Sequence, residues 1–234
     1  MPAFDVIAFD ADDTLWHNET LFTMTQDKFA QLLAPYHDEA WIRRKLYETE
    51  IRNLAYYGYG VKGFTLSMIE TAIELTEGRI SGGELKNLLD EAKRMLSAPV
   101  EPLPNVEPVV SSLAADYPLM LITKGDLFDQ ESKLARSGLG PHFQMVEVVS
   151  QKDVSTYRAV FARYDLEASR VLMVGNSVRS DILPVLDCGA HAVHVPYQST
   201  WAHEQADEET LKKYRFPVLD DIRNLPGLIT EWAG

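Results

Sequence analysis

An α/β protein built on a doubly wound parallel sheet, with an all-helical module inserted into it, is the fold class this sequence predicts. Three observations predict it. Five short runs rich in aliphatic and β-branched residues, at 4–9, 119–122, 145–149, 171–174 and 192–195, have the continuous apolar texture of strands buried on both faces. Helical patterns separate the later runs, and repeated strand–helix units place helices on both faces of a parallel sheet. Between residues 18 and 98 the rhythm stops, with no convincing strand and several amphipathic helical stripes.

The first run ends at Asp10-Ala11-Asp12-Asp13-Thr14-Leu15. The insertion then carries four stripes. Phe22, Phe29 and Leu33 form one, ended by Pro35, and Ile42, Leu46 and Leu54 a weaker second. Leu66, Ile69 and Ile73 make a third; Leu85, Leu88, Leu89, Ala92, Met95 and Leu96 make a fourth, behind a capping box at Ser81-Gly82-Gly83-Glu84. Pro99, Pro102 and Pro104 mark a semi-rigid return link over 98–104. The expected division is therefore a core of 1–17 and 99–234 around a helical module of 18–98. Within the core, helices are expected at 106–115, 127–137, 155–164 and 181–186, with Gly138, Gly140 and Gly189 as stop signals. The segment from Tyr197 reads as a charged helix over 206–214, a short strand at 216–219 and a helix at 220–225.

Composition narrows the function. Of 234 residues, 46% are hydrophobic and 24% charged, as in ordinary water-soluble domains. A net charge of −13 without a dense Lys/Arg run repels phosphate backbones and anionic membranes, which argues against nucleic-acid polymers and membranes as partners. No basic leader and no span-length apolar stretch is present, and Cys188 is the only cysteine, so a reducing cytoplasm is expected. Cys188 itself reads as a packed residue at a helix end.

Open parallel sheets bind ligands at the carboxyl ends of their strands. The residues found there are Asp10 and Asp12, then Thr123-Lys124-Gly125, then Lys152, then Gly175-Asn176-Ser177 through Asp181. Two carboxylates two residues apart at a strand end are costly without a cationic partner, although an acidic turn is the bland alternative. Thr123 and Lys152, each alone, read more readily as a turn residue and a solvated charge. A dinucleotide site is disfavoured because no glycine lies in 10–15.

In this order the residues resemble the four motifs of the haloacid dehalogenase (HAD) superfamily. Asp10-Ala11-Asp12-Asp13-Thr14 matches the first, Thr123 the second, Lys152 the third, and Gly175-Asn176-Ser177 with Asp181 the fourth. Phe128-Asp129-Gln130, Lys133-Leu134 and Ser137-Gly138-Leu139 look like the helix after the second motif. The resemblance runs to about Trp16 and again from about Asn105 to Tyr197, and it implies a Rossmann-like core. The insertion resembles a type 1 cap by position and helix content alone.

For phosphoryl transfer, the resemblance implies that Asp10 is the nucleophile and forms an aspartyl-phosphate. Asp12 then acts as general acid and afterwards as base. Thr123, with the N–H groups of Lys124 and Gly125, binds phosphoryl oxygens, and Lys152 offsets the charge of Asp10 and the phosphate. An all-oxygen Mg²⁺ site of Asp10, the Asp12 carbonyl, Asn176 and Asp181 is implied as well. Asn176 departs from the commoner Asp and removes one negative charge from that site.

The expected function is a Mg²⁺-dependent phosphatase acting on a small phosphorylated metabolite, as a monomer or homodimer. Asp12 favours this over a 2-haloacid dehalogenase. A phosphomutase of the same architecture and a non-catalytic binding module are the further alternatives. The helical insertion would exclude water from the site. Its stretch 56–64, with Tyr57, Tyr59 and Lys62, is either a helix–helix turn with locally packed tyrosines or a loop that contacts substrate.

Overall fold

The structure, a computed structural model, describes residues 4–199, 201–204 and 208–233. Its centre is one five-stranded parallel sheet in the order β3-β2-β1-β4-β5, with β1 at Val6–Phe9, β2 at Leu119–Lys124, β3 at Met145–Val149, β4 at Val171–Gly175 and β5 at His191–His194. Ile7 is opposite Leu119 on one side and Leu172 on the other, so β1 is the middle strand. The chain winds outward from β1 to β3 and then crosses back to lay β4 against the other side of β1. The sheet thus has a switch point where β1 meets β4.

Strand alternation divides the core into two faces. Ile7, Phe9, Leu119, Leu121, Leu172 and Val174 pack with Val106, Val110 and Leu113. Val6, Ala8, Met120, Ile122, Val171 and Met173 pack with Tyr157, Val160 and Phe161.

Two compact units make up the described chain. One holds the residues up to Glu19, Val100–Lys124 and those from Gln130 onward; the other holds Thr20–Pro99 and Gly125–Asp129. The second unit carries α1 (Glu19–Leu33, whose first residue belongs to the other unit), α2 (Glu39–Tyr57), α3 (Val61–Leu75) and α4 (Gly82–Ser97). Asp38 caps α2 by accepting from the Trp41 N–H at 2.9 Å. The capping box of α4 forms in both directions: Glu84 N–H donates to Ser81 Oγ at 3.1 Å, and Ser81 N–H to Glu84 Oε2 at 2.7 Å.

The α3 stripe differs from expectation. Leu66 and Ile73 are exposed, and Val61, Phe64, Met68 and Ala72 are buried instead. Both sets keep helical spacing, so periodicity alone could not choose between them. The weak α2 stripe also has a physical reason. Asn53 is buried beside half-buried Leu54 and donates to Ser67 Oγ at 3.2 Å and Glu70 Oε2 at 2.6 Å, which makes part of the α2–α3 seam polar. Between α2 and α3 only Gly58–Gly60 is loop, and Gly58 and Gly60 carry φ of +66° and +109°. A Cβ on Gly63 would sit 2.8 Å from the Gly58 carbonyl, so glycine permits the tight return. Tyr56 and Tyr57 are exposed on the last turn of α2, their rings 6.4 Å apart, and Lys62 pairs with Asp126 at 2.9 Å.

The first unit carries α5 (Val106–Asp116), α6 (Leu127–Ser137, its first turn assigned to the other unit), α7 (Val154–Arg163), α8 (Leu183–Asp187), α9 (Glu208–Leu211) and α10 (Leu225–Ala233). The proline-rich link is pinned along the segment after β1: His17 N–H donates to the Glu101 carbonyl at 3.1 Å and Leu103 N–H to that of Leu15 at 2.9 Å.

Three other expectations are corrected. The helix placed at 181–186 is a wide π-type turn over Val178–Ile182 that continues into α8. The strand placed at 216–219 is a single parallel bridge between His194 and Val218, because Pro217 next to it has no N–H to extend the ladder. The helix at 220–225 starts later, as a tight turn at Ile222–Asn224 capped by Asp221 and followed by α10. Of the helix expected over 206–214, residues 206 and 207 lie outside the described residues. Among the described residues no helix is long and apolar enough to cross a membrane.

The two faces of α3 can be told apart by substitution. Met68→Ala is expected to cost about 2–5 kcal/mol, and exposed Leu66→Ala less than about 1 kcal/mol, read as shifts in urea unfolding midpoints.

Candidate active site

The carboxyl ends of β1 and β4 and the segment after β3 bring Asp10, Asn176, Asp181 and Lys152 together. Lys152, from that segment, is buried and donates to Asp10 Oδ1 at 2.5 Å and Asp181 Oδ1 at 2.7 Å. Burial opposes the Lys152 charge, but the two carboxylates outweigh it and raise its pKa. Burial, with the Asp181 charge beside it, pushes Asp10 up, and Lys152 opposes that shift. The other oxygen of Asp181, Oδ2, accepts from the Ser177 N–H at 2.9 Å. Asp181 therefore ties the turn after β4 to the lysine. A Cβ at Gly175 would fall 2.4 Å from Asp181 Oδ2, so glycine there makes room for that carboxylate.

Thr14 joins the first and fourth motifs. Its hydroxyl is directed at Asp10 Oδ2 (2.9 Å) and Asn176 Oδ1 (3.2 Å), and its oxygen accepts from the Asn176 N–H at 3.0 Å. A carboxyl oxygen and an amide oxygen thus face the same hydroxyl.

Asp12 faces other partners. Its Oδ1 accepts from Trp16 Nε1 at 2.7 Å, and its Oδ2 from Gln130 Nε2 at 2.7 Å. Lys133 Nζ donates to both oxygens, at 3.0 and 3.1 Å. Asp13 next to it has φ +62° and takes the backbone N–H groups of Asn18 and Glu19 at 2.9 and 3.0 Å. Burial raises the Asp13 carboxyl to about 8 against those two hydrogen bonds.

Thr123 is buried at the end of β2, and Gly125 follows with φ +135°. The Lys124 side chain turns to Ser180 Oγ at 2.9 Å and pairs with Glu204. Glu204 Oε2 accepts from Ser177 Oγ and Ser180 Oγ, both at 2.5 Å. Sequence reading missed Glu204, which lies beyond β5 in a segment without periodicity. It also gave no role to Gln130 and Lys133, although their i, i+3 spacing on α6 puts them on one face and was the available signal. His17 meets Tyr197, with Nδ1 2.7 Å from its hydroxyl.

A family model described as haloacid dehalogenase-like hydrolase matches residues 4–189. The chain belongs to this family. A haloacid dehalogenase-like family hydrolase from Xanthomonas campestris is 40% identical with a TM-score of 0.88, over 99% of this chain and 92% of that one. The pyrimidine 5′-nucleotidase YjjG of Escherichia coli is 27% identical over 205 residues, 80% of this chain and 83% of YjjG. YfnB of Bacillus subtilis, solved bound to magnesium, shares the fold at 16% identity and a TM-score of 0.68, with 97% and 99% of the two chains covered.

In this haloacid dehalogenase-like hydrolase the donor set can be tested against a hard divalent cation. Among the described residues no three His, Cys, Asp or Glu side chains gather as a metal cluster. A cation would therefore need amide and main-chain oxygens besides Asp10. The Asp10 and Asn176 oxygens that converge on Thr14 supply such a pair, of the all-oxygen kind that suits Mg²⁺ with several waters retained. Asp181 shares Lys152 with Asp10, its Oδ1 accepting from that ammonium and its Oδ2 from the Ser177 N–H.

Glu204 has a measurable signature in this hydrolase. Burial opposes its ionisation, but the Lys124 ammonium and the hydrogen bonds from Lys124, Ser177 and Ser180 hold its carboxyl at about 2, against 4.5 ordinarily. A native value below the unfolded one means stability that is present above the unfolded pKa and lost as pH falls through the native one. The advantage of wild type over Glu204→Gln is expected to be on the order of 3 kcal/mol at pH 7. It should shrink as pH falls from about 4.5 toward 2, as denaturant melts across that range would show.

Proposed function

We propose that this chain is a Mg²⁺-dependent phosphatase that hydrolyses a small phosphorylated metabolite through an aspartyl-phosphate on Asp10. The observation that carries the reading is Asp12, a second carboxylate two residues beyond Asp10 and set among different partners. Phosphate monoester cleavage needs a group that protonates the leaving oxygen and then activates water. Carbon–halogen cleavage needs no acid on its leaving group.

In this reading Asp10 attacks phosphorus and Lys152 balances charge on the nucleophile and the phosphoryl oxygens. Thr123 and the N–H groups of Lys124 and Gly125 hold those oxygens in place. Asp12 gives a proton to the departing alcohol and takes one from the water that cleaves the acyl-phosphate. Asp10, the Asp12 carbonyl, Asn176 and Asp181 would hold Mg²⁺. The cation, when bound, neutralises phosphoryl charge and aligns the phosphate for in-line attack. The acidic surface and lone Cys188 suit a small cytoplasmic metabolite rather than a nucleic-acid polymer. Pyrimidine nucleoside monophosphates head the candidates because the 27% identical relative is a pyrimidine 5′-nucleotidase.

Phosphate release from a panel of nucleotides, sugar phosphates and phospho-acids tests this. Hydrolysis should require Mg²⁺, stop with a chelator, and fall on the order of 10³-fold or more in Asp10→Asn. Full activity in that variant, or activity on a 2-haloacid that survives the chelator, would refute it. Restoring the charge with Asn176→Asp should lower the Mg²⁺ concentration giving half-maximal rate by about tenfold. An unchanged Mg²⁺ dependence removes Asn176 as a significant ligand.

A further inference from the structure

Gln130 carries an unexplained cost. It is 3% exposed, and its Nε2 donates to Asp12 Oδ2 at 2.7 Å and to the Lys124 carbonyl at 2.9 Å. Its Oε1, among the described residues, is buried with no hydrogen-bond partner. A buried acceptor left unpaired is destabilising, and such a group calls for a reason other than packing. Turning the amide over would aim Oε1 at the Asp12 carboxylate and at a carbonyl, so the orientation is dictated by those two acceptors.

Lys133, one turn further along α6, spends its ammonium on both Asp12 oxygens and on Asn18 Oδ1 at 2.8 Å. With Trp16 Nε1, three side chains from α6 and the post-β1 turn place four hydrogen bonds on one carboxylate. Lys152 donates instead to Asp10 and Asp181, so the two aspartates of the first motif have different cationic partners.

We propose that Gln130 and Lys133 are positioning residues for Asp12. The proposal rests on the phosphatase reading above. As Asp10 bonds to phosphorus and the phosphorus–oxygen bond to the leaving group breaks, Asp12 passes its proton to that oxygen and becomes a carboxylate. Every group the cradle aims at Asp12 is a donor, so it receives and orients the carboxylate as it forms. The incoming water then returns a proton to Asp12 as its oxygen bonds phosphorus and the acyl-phosphate bond breaks. Neither residue touches the phosphate in this scheme; both act through Asp12.

Phenyl phosphate and 4-nitrophenyl phosphate separate this role from a structural one. They differ only at the para position, but the phenolate leaving group depends on a proton far more than the nitrophenolate does. Lys133→Met and Gln130→Leu should lose about tenfold more in kcat/KM on phenyl phosphate than on 4-nitrophenyl phosphate, with Lys133→Arg restoring most of the difference. The ratio of the two values on one preparation is independent of the fraction folded, so a destabilised variant still gives an answer. Equal losses on both esters, or no loss on either, overturn the proposal while leaving the phosphatase reading intact. A wild-type protein inert toward both esters in Mg²⁺ overturns that reading and the cradle with it.

Discussion

One buried ammonium holds the candidate site in register. Lys152 comes from beyond β3 on one side of the sheet, and its partners are Asp10 at the end of the central strand and Asp181 in the turn after β4. Two carboxylates could not stay ionised so close together in a low-dielectric interior without it. Removing one member of such a buried group typically costs about 3–5 kcal/mol, because the charges left behind have no solvent. The glycine at 175, the Ser177 N–H on Asp181 and the Thr14 hydroxyl on Asp10 all have their places set by this arrangement.

Asp10 and Asp12 are near neighbours in sequence but occupy different electrostatic surroundings. A strand continued through both would aim them to one face. The chain instead turns sharply, with Asp13 in the left-handed region and its carboxylate on the N–H groups of Asn18 and Glu19. Asp10 is left against Lys152, and Asp12 is passed to α6. Two similar groups can hold different proton-handling roles only if their environments differ, and this turn makes them differ.

The network around Glu204 gives the turn after β4 a second anchor. Ser177 and Ser180 both reach the same carboxylate oxygen, and Lys124 brings the end of β2 to it. The residue next to Thr123 is thereby tied to the fourth motif by a chain segment outside all four motifs. Its ammonium is committed to Ser180 and Glu204, so Lys124 would meet a phosphate through its backbone N–H.

What the sequence determined by itself was local. Apolar runs bounded by polar residues marked all five strands, most cleanly β1, β2 and β4, which are buried along nearly their whole length. The Ser81–Glu84 capping box and the helix end at Cys188 followed from groups three or four residues apart. The ordered polar residues at strand ends identified the family and brought Asp10, Lys152, Asn176 and Asp181 into one candidate set. Tertiary structure decided which of two helical stripes α3 buries, that Pro217 reduces a strand to one bridge, and that Gln130, Lys133 and Glu204 belong to the site. Gln130, Lys133 and Glu204 reach partners between 24 and 121 residues away in the chain. Such pairings follow from strand order and packing, and no short-range periodicity carries them.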